Sequence, residues 1–392
     1  MTTIGSGVLL AELDADPYPT YARLRRAEPV CWLPEVRQWL VTTWADASRV
    51  LADPGLFTTD IPESPMVRFC GGRPMLLREG TDHRDIREAF RHDYDPHRVS
   101  DYVDTVVRPH AERIAARLAR AGRAELVGEY FEPVAAASEA TLLGIGPSGA
   151  NALRRWAGAL AAVATNLRRD RDIDAYAADT LAEGDVLSPV VARLRERPNG
   201  SVISHLIHAN RAGGRPDADI LPVLKHVAMC AIEPGWLAGW TLLALLSRPE
   251  QLEEVRGDRW LLGAAVYEVL RWSAPVGTVT RRTTAPVSLH GKDLPAGATL
   301  IVSIASANRD ESAFPDADVF DLHRPVRTHL GFGTGPHRCP AFAFAVAGAR
   351  TALDVLLDRM PGLRPDVDWW PAPHGWKFRL PGPIAMRWGR VL

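Results

Sequence analysis

Leu330-Gly331-Phe332-Gly333-Thr334-Gly335-Pro336-His337-Arg338-Cys339-Pro340-Ala341 is the stretch on which the reading of this chain turns. Three glycines in five residues permit a tightly folded backbone with positive φ. The apolar run Ala341 to Leu357 has helical spacing, so Cys339 is expected where a helix begins. The N–H groups and dipole of a helix start stabilise a thiolate. A phosphate-binding turn is disfavoured, because Gly-x-Gly-x-x-Gly fails at Pro336 and no clean strand leads into the helix. A buried structural thiol stands as the competing reading of Cys339.

Bulk composition limits what surrounds the loop. The chain has 392 residues, 46% hydrophobic and 24% charged, a globular composition with no disordered or fibrous bias. A formal net charge of -1 gives no global field favouring nucleic acid or an anionic membrane. Cys31, Cys70, Cys230 and Cys339 are widely spaced and form no Cys-x-x-Cys pair. That argues against a zinc site or disulfide framework and for free thiols in a reducing cytoplasm. Met1 to Leu10 lacks a basic run followed by a long apolar stretch, and no segment reaches the ~18 uninterrupted apolar residues of a membrane span. A soluble, untargeted, cytoplasmic protein is expected. With no internal repeat and no linker, residues 1–392 are expected to form a single domain.

The early chain alternates short elements. Asp16 to Arg26 reads as a helix, Val30 to Leu33 and Gln38 to Thr42 as a small hairpin, and Trp44 to Leu51 as a second helix. Phe57 to Pro74, rich in glycine and proline, reads as a long loop. From Asp82 to about Arg256 the pattern is mostly helical, with helices expected at His97 to Ala121, Arg154 to Leu167 and Ile173 to Arg195. Ile220 to Leu246 is apolar on nearly all sides, as a buried central helix is. Leu261 to Trp272 is a further helix. Short β-rich runs follow at Val279 to Thr284, Val287 to Leu289 and Thr299 to Ser303. Asn308 to Thr334 reads as irregular, and Trp369 to Arg390 as a late hairpin.

Phe332-Gly333-x-Gly335-x-His337-x-Cys339 resembles the heme-ligand signature of the cytochromes P-450, Phe-Gly-x-Gly-x-His/Arg-x-Cys-x-Gly. Two positions depart. Ala341 stands where the signature has glycine, and Pro340 follows the cysteine, suited to a first helical turn but removing one possible N–H···S bond. The resemblance runs from about Asp16 to Ala345, strong in the last third and weak between Ser100 and Asp217. It implies a mainly α fold with small β-sheets (α+β), the cytochrome P-450 fold. Heme b (iron protoporphyrin IX) would lie between a long central helix and the cysteine loop. Cys339 would ligate the iron, and Phe332 would belong to the cofactor site. A thiolate bound to heme iron pushes electron density toward the metal and favours O–O cleavage.

Other residues fit the same family. Glu268 and Arg271, at i,i+3 on the Leu261 to Trp272 helix, can pair on one face. They resemble the family's structural Glu-x-x-Arg, and Arg324 matches the second arginine that completes its network. The resemblance assigns these three to folding rather than chemistry. Heme propionates need cationic partners. His83 and Arg87, at i,i+4, match the family's His-x-x-x-Arg propionate pair; Arg281 and His337 match two further contacts.

The central helix departs from the family. Its centre usually reads Ala/Gly-Gly-x-Asp/Glu-Thr-Thr, but here it is Ala228-Met229-Cys230-Ala231-Ile232-Glu233-Pro234-Gly235-Trp236, with no threonine or serine until Thr241. Glu233 aligns with the family's acid, and Pro234-Gly235 then replaces the two threonines. Counting back from Ala244-Leu245-Leu246 gives a register one residue different. Pro234 should kink the helix and free the Cys230 carbonyl to hold water. Glu233 is the candidate substitute for the missing hydroxyl in proton delivery; a structural pairing with a nearby Arg or His is the other reading. Trp236 and Trp240 line an aromatic pocket or belong to the core.

The resemblance implies a monooxygenase that oxidises a mostly apolar small molecule with O2, in bacterial secondary metabolism. Nothing in the chain resembles a fused reductase, so electrons are expected from outside, from the ferredoxin and ferredoxin reductase that the resemblance implies, unless peroxide replaces them. Arg338 and Arg350 are candidates for docking an acidic carrier. Oxidative coupling, cyclisation or desaturation are alternatives to hydroxylation. A monomer that binds neither nucleic acid nor membrane is expected. The reading from another class is a heme-thiolate protein that binds a partner or senses without oxygenating.

Overall fold

The computed structural model describes residues 4–168, 170–182, 185–209, 215–366 and 372–389. They are mainly helical, with three small sheets, as expected for an α+β chain. The chain contributes to two compact units, each assembled from separated segments.

The first unit comprises residues Met1–Ile61, Tyr267–Cys339 and Ala372–Pro381. Its five-stranded sheet runs in the order Val30–Leu33, Gln38–Val41, Thr299–Ser303, Thr278–Thr283, Phe57–Thr58. The expected hairpin forms, with Val30 opposite Val41. Thr299–Ser303 joins parallel to Gln38–Val41, with Trp39 opposite Leu300, although some 260 residues separate them. Leu40, Val41, Leu300, Ile301 and Val302 are wholly buried and form the floor of this unit. The helix Pro17–Ala27 is capped by Asp16, whose side chain accepts from the Tyr18 N–H, with proline in the first turn.

The second unit comprises Pro62–Val266, Pro340–Pro371 and Gly382–Leu392, and it is mostly helix. Glu132–Leu143 and Glu233–Leu246 are buried on almost every side and pack against each other and against Phe342–Arg359. The few hydroxyls at this depth are satisfied locally. Ser138 donates to the Val134 carbonyl and Thr241 to the Leu237 carbonyl, each at 2.8 Å. The 217–246 stretch is long and apolar enough to cross a membrane by composition, but most of it is buried within this unit as core.

Several elements differ from the sequence reading. The Phe57 to Pro74 loop contains a strand, Phe57–Thr58, and a helix, Pro65–Cys70, which ends at left-handed Gly71. The first is set by pairing with Thr278–Thr283, which local composition does not reveal. His97 to Ala121 is Pro96–Tyr102 and Arg108–Ala119 joined by a π-helical turn at Val103–Val107. Ile173 to Arg195 is two helices, Arg171–Ala182 and Ser188–Glu196. The Asp185 carboxylate accepts from the Leu187 and Ser188 N–H groups and opens the second. Of the late hairpin, residues 369–371 and 390 lie outside the described residues. Its strand Ala385–Arg387 pairs with Arg123–Glu125 and Arg364–Pro365.

Candidate functional site

The cysteine loop is built by three glycines doing different things. Gly333 and Gly335 have φ of 70° and 69°, the left-handed region that β-carbons disfavour. A Cβ on Gly335 would also lie 2.6 Å from the Leu51 carbonyl oxygen, and one on Gly331 2.9 Å from the Leu270 oxygen. The loop therefore packs backbone to backbone against two helices. Inside it, the Gly333 N–H donates to the Leu330 oxygen at 2.8 Å, and the Cys339 N–H to the Phe332 oxygen at 2.9 Å. Residues Gly335–His337 form a 3-10 turn that brings the chain round to Cys339. The helix that follows runs Phe342–Arg359, so it starts three residues beyond the cysteine and Pro340 lies in the preceding turn. The expected placement of Cys339 at a helix start and Pro340 in its first turn is corrected by that margin.

Among the four cysteines, none in a disulfide, chemistry separates the candidates. Burial pushes Cys31 and Cys70 up to about 12, far from thiolate formation at neutral pH. Cys230 is partly exposed, and its Sγ donates to the His226 carbonyl at 3.5 Å. Cys339 is partly exposed at the end of a held loop. Just downstream, Phe342, Ala343, Ala345 and Val346 are apolar yet left half-exposed. A cysteine outside any disulfide, in a loop held by its own backbone hydrogen bonds, offers the kind of sulfur ligand that a heme iron takes. The donor set fits the group that the resemblance implies.

Behind the loop, Glu268 is the hub of a buried ion network. Arg271 grips it with two bonds, Nε at 2.9 Å and an Nη at 2.6 Å, and Arg324 Nε reaches the same carboxylate at 2.9 Å. Both guanidiniums spend their other N–H groups on carbonyls of Asn308, Pro315, Asp316, Ala317 and Val319. These bonds pin the irregular segment that leads into the cysteine loop. Asn308 extends the same frame by accepting from the Leu330 N–H at 2.7 Å.

The expected cationic residues fall in both units. In the first, Arg281 is buried on strand Thr278–Thr283, and His337 Nε2 lies 3.4 Å from the Thr59 hydroxyl. Phe332 is half-exposed in the loop. In the second, His83 is buried and Arg87 half-exposed, one turn apart on the helix Gly80–Arg91. Arg338 is exposed; Arg350 lies over the exposed Trp260 ring, 5.1 Å from its centroid.

The central helix is not kinked but broken. Asp217–Cys230 ends, Ala231 and Ile232 form a turn, and Glu233–Leu246 begins with Pro234 in its first turn. There the missing N–H of proline costs nothing. The Ile232 carbonyl accepts from both Gly235 and Trp236, which restarts the ladder. Gly235, which the sequence reading gave only as half of the Pro234-Gly235 replacement, is required as glycine. A Cβ there would sit 2.8 Å from the Phe131 oxygen, so only glycine lets this helix rest on the 131–132 backbone. Trp236 Nε1 donates to Glu132 at 3.0 Å, fixing the same contact and placing that indole in the core. Burial raises the Glu233 carboxyl to about 8, opposed by a hydrogen bond with the Cys230 side chain. One further group lies on this run: His226, lowered to about 4 by burial.

Comparison with known proteins agrees with this geometry. A family profile described as Cytochrome P450 matches residues 241–378. The "Cytochrome P450 monooxygenase PikC" of Streptomyces venezuelae is 32% identical over 98% of this chain and 94% of its own length. The "Pulcherriminic acid synthase" of Bacillus subtilis is 25% identical over 97% of this chain and 96% of its own. Among solved structures, HmtN, described as a post-tailoring hydroxylase involved in himastatin biosynthesis, superposes with a TM-score of 0.79 at 28% identity. It covers 99% of this chain and 100% of its own.

Proposed function

This chain belongs to the cytochrome P450 family and is a P450 monooxygenase, and from that premise we propose that Cys339 holds its heme iron during oxidation of a mostly apolar small molecule. The observation that carries the reading is the cysteine loop: left-handed Gly333 and Gly335, the Cys339 N–H tied to Phe332, and a partly exposed cysteine outside any disulfide. The bound group is heme b, and it supplies O2 activation with electrons delivered singly.

The chain's own residues do the rest. Cys339 would provide the anionic sulfur, and Phe332 would belong to the cofactor's binding site. His83, Arg87, Arg281 and His337 provide the positive and hydrogen-bonding partners for its carboxylates. Glu233, held up at about 8, keeps a proton at its carboxyl oxygen near neutral pH and can pass it on, with Pro234 fixing the helix break that presents it. Thr241, the first hydroxyl residue after the break, spends its proton on the Leu237 carbonyl and is no substitute for the family's threonine. That supports coupling, cyclisation or desaturation beside hydroxylation as outcomes. The likeness to PikC and HmtN supports a role in bacterial secondary metabolism. A ferredoxin and its reductase in the cytoplasm are the proposed electron source, with Arg338 and Arg350 in the docking surface of a monomeric enzyme.

The test is the absorption spectrum of the reduced carbon monoxide complex. Wild type should show the strongly red-shifted Soret band of a thiolate ligand, and Cys339→Ser should lose it. An unchanged spectrum in the variant rejects Cys339 as the ligand.

A further inference from the structure

Away from the cysteine loop, three metal-binding side chains converge in the second unit. His92 and Asp93 lie in the turn that ends the helix Gly80–Arg91, and His205 lies within the short helix Val202–His208. One donor atom from each falls within 4.8 Å of the other two. The Asp93 carboxylate is fully buried, and its oxygens stand 2.8 and 3.0 Å from His205 Nδ1. The exposed imidazole of His92 meets His205 edge to face, ring centroids 5.2 Å apart.

From this geometry we infer a binding site for one first-row divalent cation, with zinc as its natural probe. Two imidazoles and a carboxylate are the three-ligand set that zinc takes when a fourth position stays open. Ligands on a tetrahedral zinc at ~2.0 Å stand roughly 3.3 Å apart, so Asp93 and His205, now hydrogen-bonded at 2.8 and 3.0 Å, need part only by a few tenths of an ångström and give up the proton between them. His92 has to close by at most about 1.5 Å, within reach of a rotamer change for a solvent-facing side chain. A hydrogen-bonded His–Asp pair explains Asp93 and His205 without a metal. It leaves unexplained why a second imidazole is stacked at the edge of the first.

One charge opposes the cation. Arg98 lies 3.8 Å from Asp93 and already offsets part of its charge, which moderates the affinity. A bound ion would tie the end of the helix that carries His83 and Arg87 to Val202–His208, and so would register as added thermal stability.

The experiment uses the holoenzyme, stripped of loose metal by chelator and titrated with zinc chloride. Bound zinc is counted per heme, and the melting temperature is followed. Wild type should take up one saturable equivalent and melt higher with zinc present. His92→Ala, at an exposed position, should fold normally, weaken uptake roughly tenfold or more, and lose the melting shift. Absence of a saturable equivalent in wild type overturns the site. So does a His92→Ala protein that binds zinc and shifts like wild type.

Discussion

Arg324 Nε meets Glu268 Oε1 at 2.9 Å, joining a residue of an irregular segment to a helix 56 positions upstream. The carboxylate is shared with Arg271, so two guanidiniums depend on one acid that solvent barely reaches. Removing that acid takes the counter-ion from buried Arg271 and from the partly covered Arg324. Glu268→Ala should therefore cost about 3–5 kcal/mol, read as a lower denaturant midpoint and reduced heme content. A midpoint within experimental error of wild type would show that the carbonyl bonds alone hold the segment.

Two glycines of the cysteine loop separate strain from crowding. Gly333→Ala meets only a left-handed φ, since nothing approaches its Cβ position closer than 3.9 Å, and should cost about 1–2 kcal/mol. Gly335→Ala bears the same strain and places a methyl 2.6 Å from the Leu51 carbonyl oxygen. It should melt lower than Gly333→Ala and retain less heme. Equal melting temperatures would mean that the loop moves freely away from Leu51.

Glu233→Gln keeps the shape of the helix break and removes the transferable proton. Product formed per NAD(P)H consumed should fall roughly 100-fold, with substrate binding, read by spectral titration, little changed. Full coupling in the variant would return Glu233 to a structural role.

Glu139 offers a pH test independent of the active site. Its carboxyl is buried, accepts a hydrogen bond from Tyr94 at 2.9 Å, and is raised by burial to about 7. The folded chain thus keeps a proton that the unfolded chain releases near pH 4.5. Its stabilising contribution is complete below about 4.5 and is lost as pH rises through about 7. Glu139→Gln should flatten this decline, which amounts to on the order of 3 kcal/mol between those limits. Identical pH profiles for wild type and variant would place the proton elsewhere.

What the sequence determined by itself is what short spacing controls. Glycines at positions 331, 333 and 335 before a cysteine announce a tight loop, because positive φ is a local property. Leu261–Trp272 appears with the boundaries that its periodicity predicts, and Glu268 meets Arg271 because i,i+3 on a helix is geometry, not context. Tertiary structure decided the rest. That Phe57–Thr58 is a strand depends on Thr278–Thr283, and that Gly335 must be glycine depends on Leu51. The central helix breaks, rather than bends, where Gly235 rests on the 131–132 backbone, and His92 and Asp93 acquire His205 from a helix 112 residues beyond Asp93. Contacts of that range leave no periodic mark on either segment. They exist only once the chain has accepted the entropy loss of closing long loops, and burial then makes each pairing specific.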